Sequence, residues 1–460
     1  MSDCIRYLNR TLIISATSAL AASCSSPTAP GPDSLKDDVQ ARTGVALGWN
    51  APTADSLLIW DGTAPLSADT AVRLAIAFKP ELRAMAAEVV AAQAEVRQSA
   101  LAPNPMIDLG LGVPLNMGAT PIVAMAFQNL AFLARRDAMI DEASKRLGAQ
   151  LLALTSAAVD TAARARSAHA TAATAQQLAQ LATRKVELTG AVLDAARSSY
   201  AAGELTRGQW NTASRGMVEA QTERLEAQRA RFAARLVLLE TIGRSADEAE
   251  FPIELPPRWL APLPPDDTAL AALVKRRRPD VQAELLKADA LSAAVAVAEG
   301  SRVETFALGA GYERDMERDE AVALAMRLEL PVFDDGSVRI ERARAMALAA
   351  RERAEAVTQT AITQARLAFS AMDAAFESYG AISGTSLQEL LDTAAAANTA
   401  AGRGDVSQVS AWEAELLANA AVARTAQAER DLLLGRIEVE RSLGGASWQE
   451  PASADTESAP

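Results

Sequence analysis

Aromatic residues are scarce in this sequence: Phe, Trp and Tyr together make up 4% of 460 residues. Thick globular cores draw on Leu, Ile and Phe, whereas a chain dominated by alanine favours long helices that pack closely. Histidine occurs once, as His169, and cysteine twice, as Cys4 and Cys24. One histidine without clustered Cys or carboxylate partners makes no metal site, so no metal and no cofactor are expected. It also leaves no workable Ser-His-Asp set, and no enzymatic activity is expected. Basic residues are outnumbered, 45 against 58 acidic, for a net charge of −13. Nucleic-acid attachment needs clustered Lys and Arg, so nucleic acid is not an expected partner. Long apolar runs are missing too, which excludes a membrane-spanning helix.

What is present begins with an export signal at residues 1–23. Arg6 and Arg10 precede a short apolar stretch, Thr11 to Ala22. Leu20-Ala21-Ala22-Ser23 then leads into Cys24, resembling a bacterial lipoprotein cleavage site with Cys24 as the lipidated first residue. Cys4 leaves with the signal, so the mature chain carries no disulfide. Residues 24–66 are rich in Pro, Gly, Ser and Asp, include Trp49 and Trp60, and read as a tether lying along the body.

The rest reads as a duplication. Arg136 to Gly243 is one long helix, a tight break near Ala202-Gly203, and a returning helix. Leu147, Leu151, Leu154, Ala158, Thr161, Ala165, Ala168, Ala172, Ala175, Ala179, Ala182, Val186, Thr189 and Leu193 step by fours and threes, the seam of a supercoiled helix. About 60 residues at 1.5 Å each span roughly 90 Å, a rod that needs other rods beside it. Val338 to Gly444 repeats this, with a stripe from Ile340 through Ala343, Ala347, Ala350, Ala354, Val357, Ala361, Gln364 and Ala368 to Ala371. Its break is placed at Ala401-Gly402, and Ser442-Leu443-Gly444 matches Thr241-Ile242-Gly243. Upstream, Lys79-Pro80-Glu81-Leu82 matches Arg278-Pro279-Asp280-Val281. The repeats are residues 67–243 and 268–444. A Pro-rich linker (244–267) joins them, and an Ala-, Ser-, Glu- and Pro-rich tail (445–460) is expected to be disordered.

Each repeat also holds two alternating stretches of about ten residues. In the first, Ile107, Leu109, Leu111 and Val113 oppose Asp108, Gly110 and Gly112; then Val123, Met125 and Phe127 oppose Ala124, Ala126 and Gln128. In the second, Phe306, Leu308, Ala310 and Tyr312 are followed by Val322, Leu324, Met326, Leu328 and Leu330. One apolar face and one small or polar face suit a barrel wall between lipid and water. Four strands close no barrel and open edges are not tolerated in lipid. Either several chains share one barrel, or the strands form a soluble sheet against helices. Arg276-Arg277-Arg278 reads as a solvated helix end. Asp334-Asp335-Gly336 reads as a turn without calcium-loop spacing.

This order, on a lipoprotein, resembles the TolC-like outer-membrane efflux protein family. The residues that carry the likeness are Pro80-Glu81-Leu82, Ala102-Pro103-Asn104-Pro105, Arg278-Pro279-Asp280-Val281, Leu330-Pro331-Val332-Phe333-Asp334-Asp335-Gly336 and the paired tips, covering Ser67 to Gly444. The resemblance implies a mainly α fold with a small β part, in which a duplicated helix-strand-strand-hairpin unit builds a trimeric α-barrel tunnel and a shared twelve-stranded β-barrel. It implies a homotrimer anchored in outer-membrane lipid by Cys24 and extending into the periplasm. Its partners would be a periplasmic adaptor protein and an inner-membrane pump, for metal ions or small toxic compounds. The tips, Gly203, Glu204, Leu205 and Thr206 with Gly402, Arg403, Gly404, Asp405, Val406, Ser407 and Gln408, would be the adaptor-docking and gating end. Drug-export relatives often place paired aspartates six and nine residues after the second tip glycine. Counted from Gly402, those positions are Gln408 and Ala411, leaving Asp405 and Glu413 as the nearest carboxylates. The rival reading is a lipid-tethered periplasmic coiled-coil scaffold without a pore.

Overall fold

The computed structural model describes residues 29–45, 60, 63–113, 120–244, 251–255, 266–315, 317, 319–383 and 385–445. The export segment, Cys24, Trp49, most of the Pro-rich linker and the tail lie outside them. The elements run α1 (Lys36–Thr43), α2 (Ala68–Phe78), α3 (Pro80–Ser99), β1 (Met106–Leu111), β2 (Ile122–Asn129), α4 (Leu133–Ala201), α5 (Arg207–Ile242), α6 (Asp267–Arg277), α7 (Pro279–Gly300), β3 (Phe306–Arg314), β4 (Glu320–Leu328), α8 (Ser337–Ser383), α9 (Thr385–Arg403) and α10 (Gln408–Ser442). The predicted order therefore occurs twice.

Local chemistry places the boundaries. Ser67 caps α2 by accepting the Thr70 N–H. Pro80 and Pro279 restart the chain at the first turns of α3 and α7, where a missing N–H costs little. Asp334 and Asp335 accept the N–H groups of Gly336 and Ser337, each at 2.9 Å, and so form the turn into α8. The strands are 6, 8, 9 and 9 residues long, shorter than the alternation suggested for the first pair. β2 ends at Asn129 because its side-chain oxygen takes the N–H groups of Ala131 (2.9 Å) and Phe306 (3.2 Å) out of the ladder.

The chain divides into two compact units. Of the described residues, the first takes those within 29–34, 85–153 and 280–357, and the second those within 35–84, 154–279 and 358–445. The long helices α4 and α8 contribute to both.

The first unit holds the sheet, antiparallel in the order β1-β2-β3-β4. One face carries the rows Ile107, Ala126, Ala310, Leu324 and Leu109, Ala124, Tyr312, Val322. Leu109 and Leu324 on this face are 75% and 84% exposed. The other face carries Asp108, Met125, Gly311, Ala323 and Met106, Phe127, Gly309, Ala325. This corrects the expectation for β2. Its large residues Val123, Met125 and Phe127 point to the small-residue face, and its alanines join the apolar one. The cause is on β3: a Cβ at Gly309 would lie 2.5 Å from the Phe127 ring, and one at Gly311 2.7 Å from the Met125 side chain. The glycines leave slots that β2 fills. Beside the sheet, α7 packs on α8 through Ala288, Ala350 and Ala354, with Leu291 alongside.

The core of the second unit includes Leu74, Leu154, Leu238, Leu239, Ile242 and Leu443, all essentially inaccessible. Here α2 lies on α5. The approach needs Gly243, at φ +71°, where a Cβ would fall 2.7 Å from Phe78. The first seam is buried from Leu154 to Ala172 and again at Ala179 and Ala182, and half-buried at Val186, Thr189 and Leu193. In the second seam Ala371 faces outward and Met372 is buried instead. An α-helix of 3.6 residues per turn drifts against a strict seven-residue repeat, and the stripe slips by one position.

Arg278 corrects a second expectation. It is not on a solvated end: it is 7% exposed and donates to the Ala361 carbonyl (3.2 Å) and to Gln364 Oε1 (2.7 Å) on α8. The extended backbone required before Pro279 takes it off the line of α6. Lys79, its counterpart in the first repeat, reaches Thr161 on α4 at 3.4 Å. The described part of the linker is fastened down. Ile253 bridges Leu66, and Phe251 packs edge-on against Trp60 (5.0 Å) beneath the Arg235 guanidinium (4.7 Å). His169 on α4 locks this bridge: Nε2 donates to the Leu66 carbonyl at 2.8 Å.

Candidate functional site

The predicted tips are two helix-to-helix turns of the second unit, and both have one backbone design. In the first, the Gly203 N–H binds the Tyr200 carbonyl (3.0 Å) and the Glu204 N–H the Ser199 carbonyl (2.9 Å). In the second, the Gly404 N–H binds Ala401 (3.0 Å) and the Asp405 N–H binds Ala400 (2.9 Å). Each is a Schellman stop, with glycine left-handed at φ +79° and +82°. A hydroxyl three residues after the glycine opens the return helix. Thr206 accepts the Gln209 N–H, and Ser407 accepts the Ser410 N–H.

This register corrects the sequence alignment. The counterpart of Gly203 is Gly404, not Gly402. Gly402 and Arg403 are the last turn of α9. The reason is physical: the equivalent residue is the one at positive φ, and of the two glycines Gly404 adopts it. Gly203-Glu204-Leu205-Thr206 thus corresponds to Gly404-Asp405-Val406-Ser407. Counting six and nine from Gly404 gives Ser410 and Glu413, so an exposed carboxylate does stand at the second position. Glu204, Thr206, Asp405, Val406, Ser407 and Gln408 are all exposed, and Leu205 is half-buried. Cys24 lies outside the described residues.

Three features of the tips were missed in the sequence. Tyr200 and Trp210 stack across the first turn, centroids 5.9 Å apart; their ten-residue separation gave no periodic signal. Gln209 completes a capping box by accepting the Thr206 N–H at 2.9 Å; Thr-x-x-Gln was there to be read. Arg184 on α4 holds Glu415 on α10 at 2.6 and 2.9 Å, beside Glu187. Hydrogen bonds to Glu415, then Glu187, raise its pKa further above the usual arginine range, so it stays charged. Nearby, Asn419 donates to the Leu181 carbonyl at 3.1 Å, and Lys185 pairs with Glu223 on α5. Higher up, Arg441 joins α10 to Asp160 of α4 at 3.2 Å.

Among the described residues the carboxylates that gather are Asp315, Glu317 and Asp319, exposed in the β3–β4 turn. Asp315 is occupied in forming that turn, accepting the N–H groups of Glu317 (2.8 Å) and Asp319 (3.0 Å).

No family model matches the sequence, and no curated protein matches it either. Solved structures do. The chain is similar to the outer-membrane channel OprN, with 19% identity, a TM-score of 0.66, and coverage of 88% of this chain and 99% of that one. It is similar to CusC, whose structures concern folding and transmembrane channel formation, at 15% identity, TM-score 0.65, and coverage of 88% and 96%. It is also similar to the Vibrio cholerae outer membrane protein VceC, at 17% identity, TM-score 0.62, and coverage of 83% and 96%. The alignments run over nearly the whole length of those channels, and by fold this chain stands with the TolC-like outer-membrane channels.

Proposed function

We propose that the chain is the outer-membrane exit duct of a tripartite efflux pump, passing metal ions or small toxic compounds from a periplasmic adaptor and inner-membrane pump to the outside. The observation that carries this reading is the sheet. Its apolar face is open, with Leu109, Val322 and Leu324 at 75%, 79% and 84% exposed, and its edges β1 and β4 are unpaired among the described residues. Lipid covers such a face, and only other copies close such edges. A homotrimer supplies twelve strands. A periplasmic scaffold needs no such face. The chain performs no covalent chemistry in this reading, and Cys24 carries the lipid anchor.

The tips form the inner, adaptor-facing end. Threefold symmetry turns Glu204, Asp405 and Glu413 into rings of carboxylates. The second hairpin moves to open the end, and the Arg184–Glu415 pair releases as it does so. The deciding measurement is the mass of the mature protein extracted by detergent from the outer-membrane fraction. A trimer found only there is expected; a monomer released by salt without detergent overturns the duct. Deletion of residues 203–206 and 404–407 is expected to abolish export while leaving the trimer intact.

A further inference from the structure

The two unpaired edges of the sheet carry opposite charges on the same face. Asp108 on β1 and Arg327 on β4 both lie on the small-residue side. Within one chain they form an ion pair across the sheet. The arginine spans that distance because Gly309, Gly311 and Ala325 put nothing bulky in its way, and its guanidinium lies 4.1 Å from the centre of the Phe127 ring.

The register makes this pair informative. Arg327 is opposite Ala307, and Ala307 is opposite Asn129. Continued to the line of β1, that row arrives at residue 104, four residues before Asp108. A sheet closing into a barrel is staggered by a comparable amount. Strands tilted by 35–45° and spaced about 4.8 Å accumulate roughly 4 to 6 residues of offset over four strands. The direction of the offset follows the handed twist of the strands, the same twist that brings Asp108 towards Arg327 within one chain. When β4 of one copy lies beside β1 of the next, Arg327 therefore arrives at Asp108 of the neighbouring copy.

We infer that three Arg327–Asp108 pairs, each between neighbouring copies, close the seams of the shared barrel and ring its lumen. This rests on the duct reading above. Backbone bonds alone fix an edge-to-edge seam poorly, since a two-residue slip keeps the same faces in place. An ion pair reaching across the seam from the lumen side selects one register.

The test uses full-length protein carrying Asp108→Cys and Arg327→Cys, extracted from the outer membrane and oxidised. The expected product is a covalent trimer on a denaturing gel, reverting to monomer on reduction, with neither single variant giving it. Assembled trimers that yield only an intrachain disulfide, or none, overturn the seam while leaving the duct standing. A native protein that is not trimeric in that membrane overturns the duct reading and takes the seam with it. A second measurement does not depend on cysteine chemistry. Asp108→Arg is expected to lower the yield of assembled trimer severalfold, and Arg327→Asp added to it to restore the yield; a double variant as poor as the single overturns the proposal.

Discussion

The two hairpin turns share a backbone and differ in what surrounds it. Each has a left-handed glycine, an acid after it and a hydroxyl cap three residues on. The first adds an aromatic stack and a reciprocal capping box, and its outgoing arm α4 is a single helix of 69 residues. The second has Ala401 and Ala411 where the first has Tyr200 and Trp210, and a one-sided cap. Its return helix α10 opens on Ser407 alone. The course of a turn is thus dictated by three or four residues. Its stiffness comes from side chains outside them, and the first turn has more of these than the second.

The largest effects are expected where the turns are alike. A Cβ added at Gly203 or Gly404 would meet open space, with nothing within 4 Å, so substitution strains only the backbone. Gly203→Val and Gly404→Val should each cost about 1–2 kcal/mol or somewhat more, the penalty of a left-handed L-residue. Denaturant midpoints of the detergent-solubilised protein, at fixed concentration, measure it. Losses differing by several kcal/mol between the two would break the equivalence of the turns.

A second contrast lies farther up the first hairpin. His169 is buried there, and the second hairpin holds no histidine. Burial lowers the His169 pKa below 6.5, with the Leu66 carbonyl, Glu254 and Asp69 opposing in part. Nδ1 has no hydrogen-bond partner among the described residues. A depressed pKa means the folded chain holds fewer protons than the unfolded one. Stability is then undiminished well above pH 6.5 and falls as pH drops below it, by at most about 1.4 kcal/mol per pH unit for each chain. Unfolding midpoints of the native protein and of His169→Gln between pH 7.5 and 5.5 should converge towards acid, the variant having the flatter profile. Parallel profiles would show that His169 does not titrate with unfolding.

Much of this architecture was legible in the sequence because it is periodic. The alanine seam, the paired Lys79-Pro80 and Arg278-Pro279 restarts and the alternating strands all repeat at fixed steps, and repetition survives the loss of any one residue. What was not legible is what depends on a partner distant in sequence. The inward turn of Phe127 is decided by Gly309, 182 positions away, through the register of β2 and β3. The choice of Gly404 over Gly402 is decided by φ, to which two glycines in Gly402-Arg403-Gly404 give equal claim. The Arg184–Glu415 tie joins helices more than 200 residues apart.

Removing the aromatic stack should make the first turn behave like the second. Trp210→Ala forfeits a pair worth about 0.5–1.5 kcal/mol beyond its burial. Amide exchange in residues 198–212 should accelerate severalfold, to about ten, and approach that of residues 399–413. Unchanged exchange would place the stiffness of the first turn in its capping box instead, which Gln209→Ala would then reveal.

The smallest stability effect, and the one on which the proposed opening turns, is at Arg184 and Glu415. Their side chains are 49% and 26% exposed, so solvent and salt screen the pair, and a coupling of about 0.2–1 kcal/mol is expected. That is too little to alter assembly, yet enough to shift a balance between closed and open hairpins. Released coupling of about 0.5 kcal/mol per copy changes such an equilibrium roughly twofold, and three copies acting together multiply the shift to about tenfold. In planar bilayers Arg184→Ala should therefore raise the open probability at low salt, Glu415→Ala should do the same, and the double variant should add little to either. At 1 M salt, where screening acts within about 3 Å, the native channel should approach the variants. If single variants and native protein conduct alike at low salt, this pair does not hold the hairpins together.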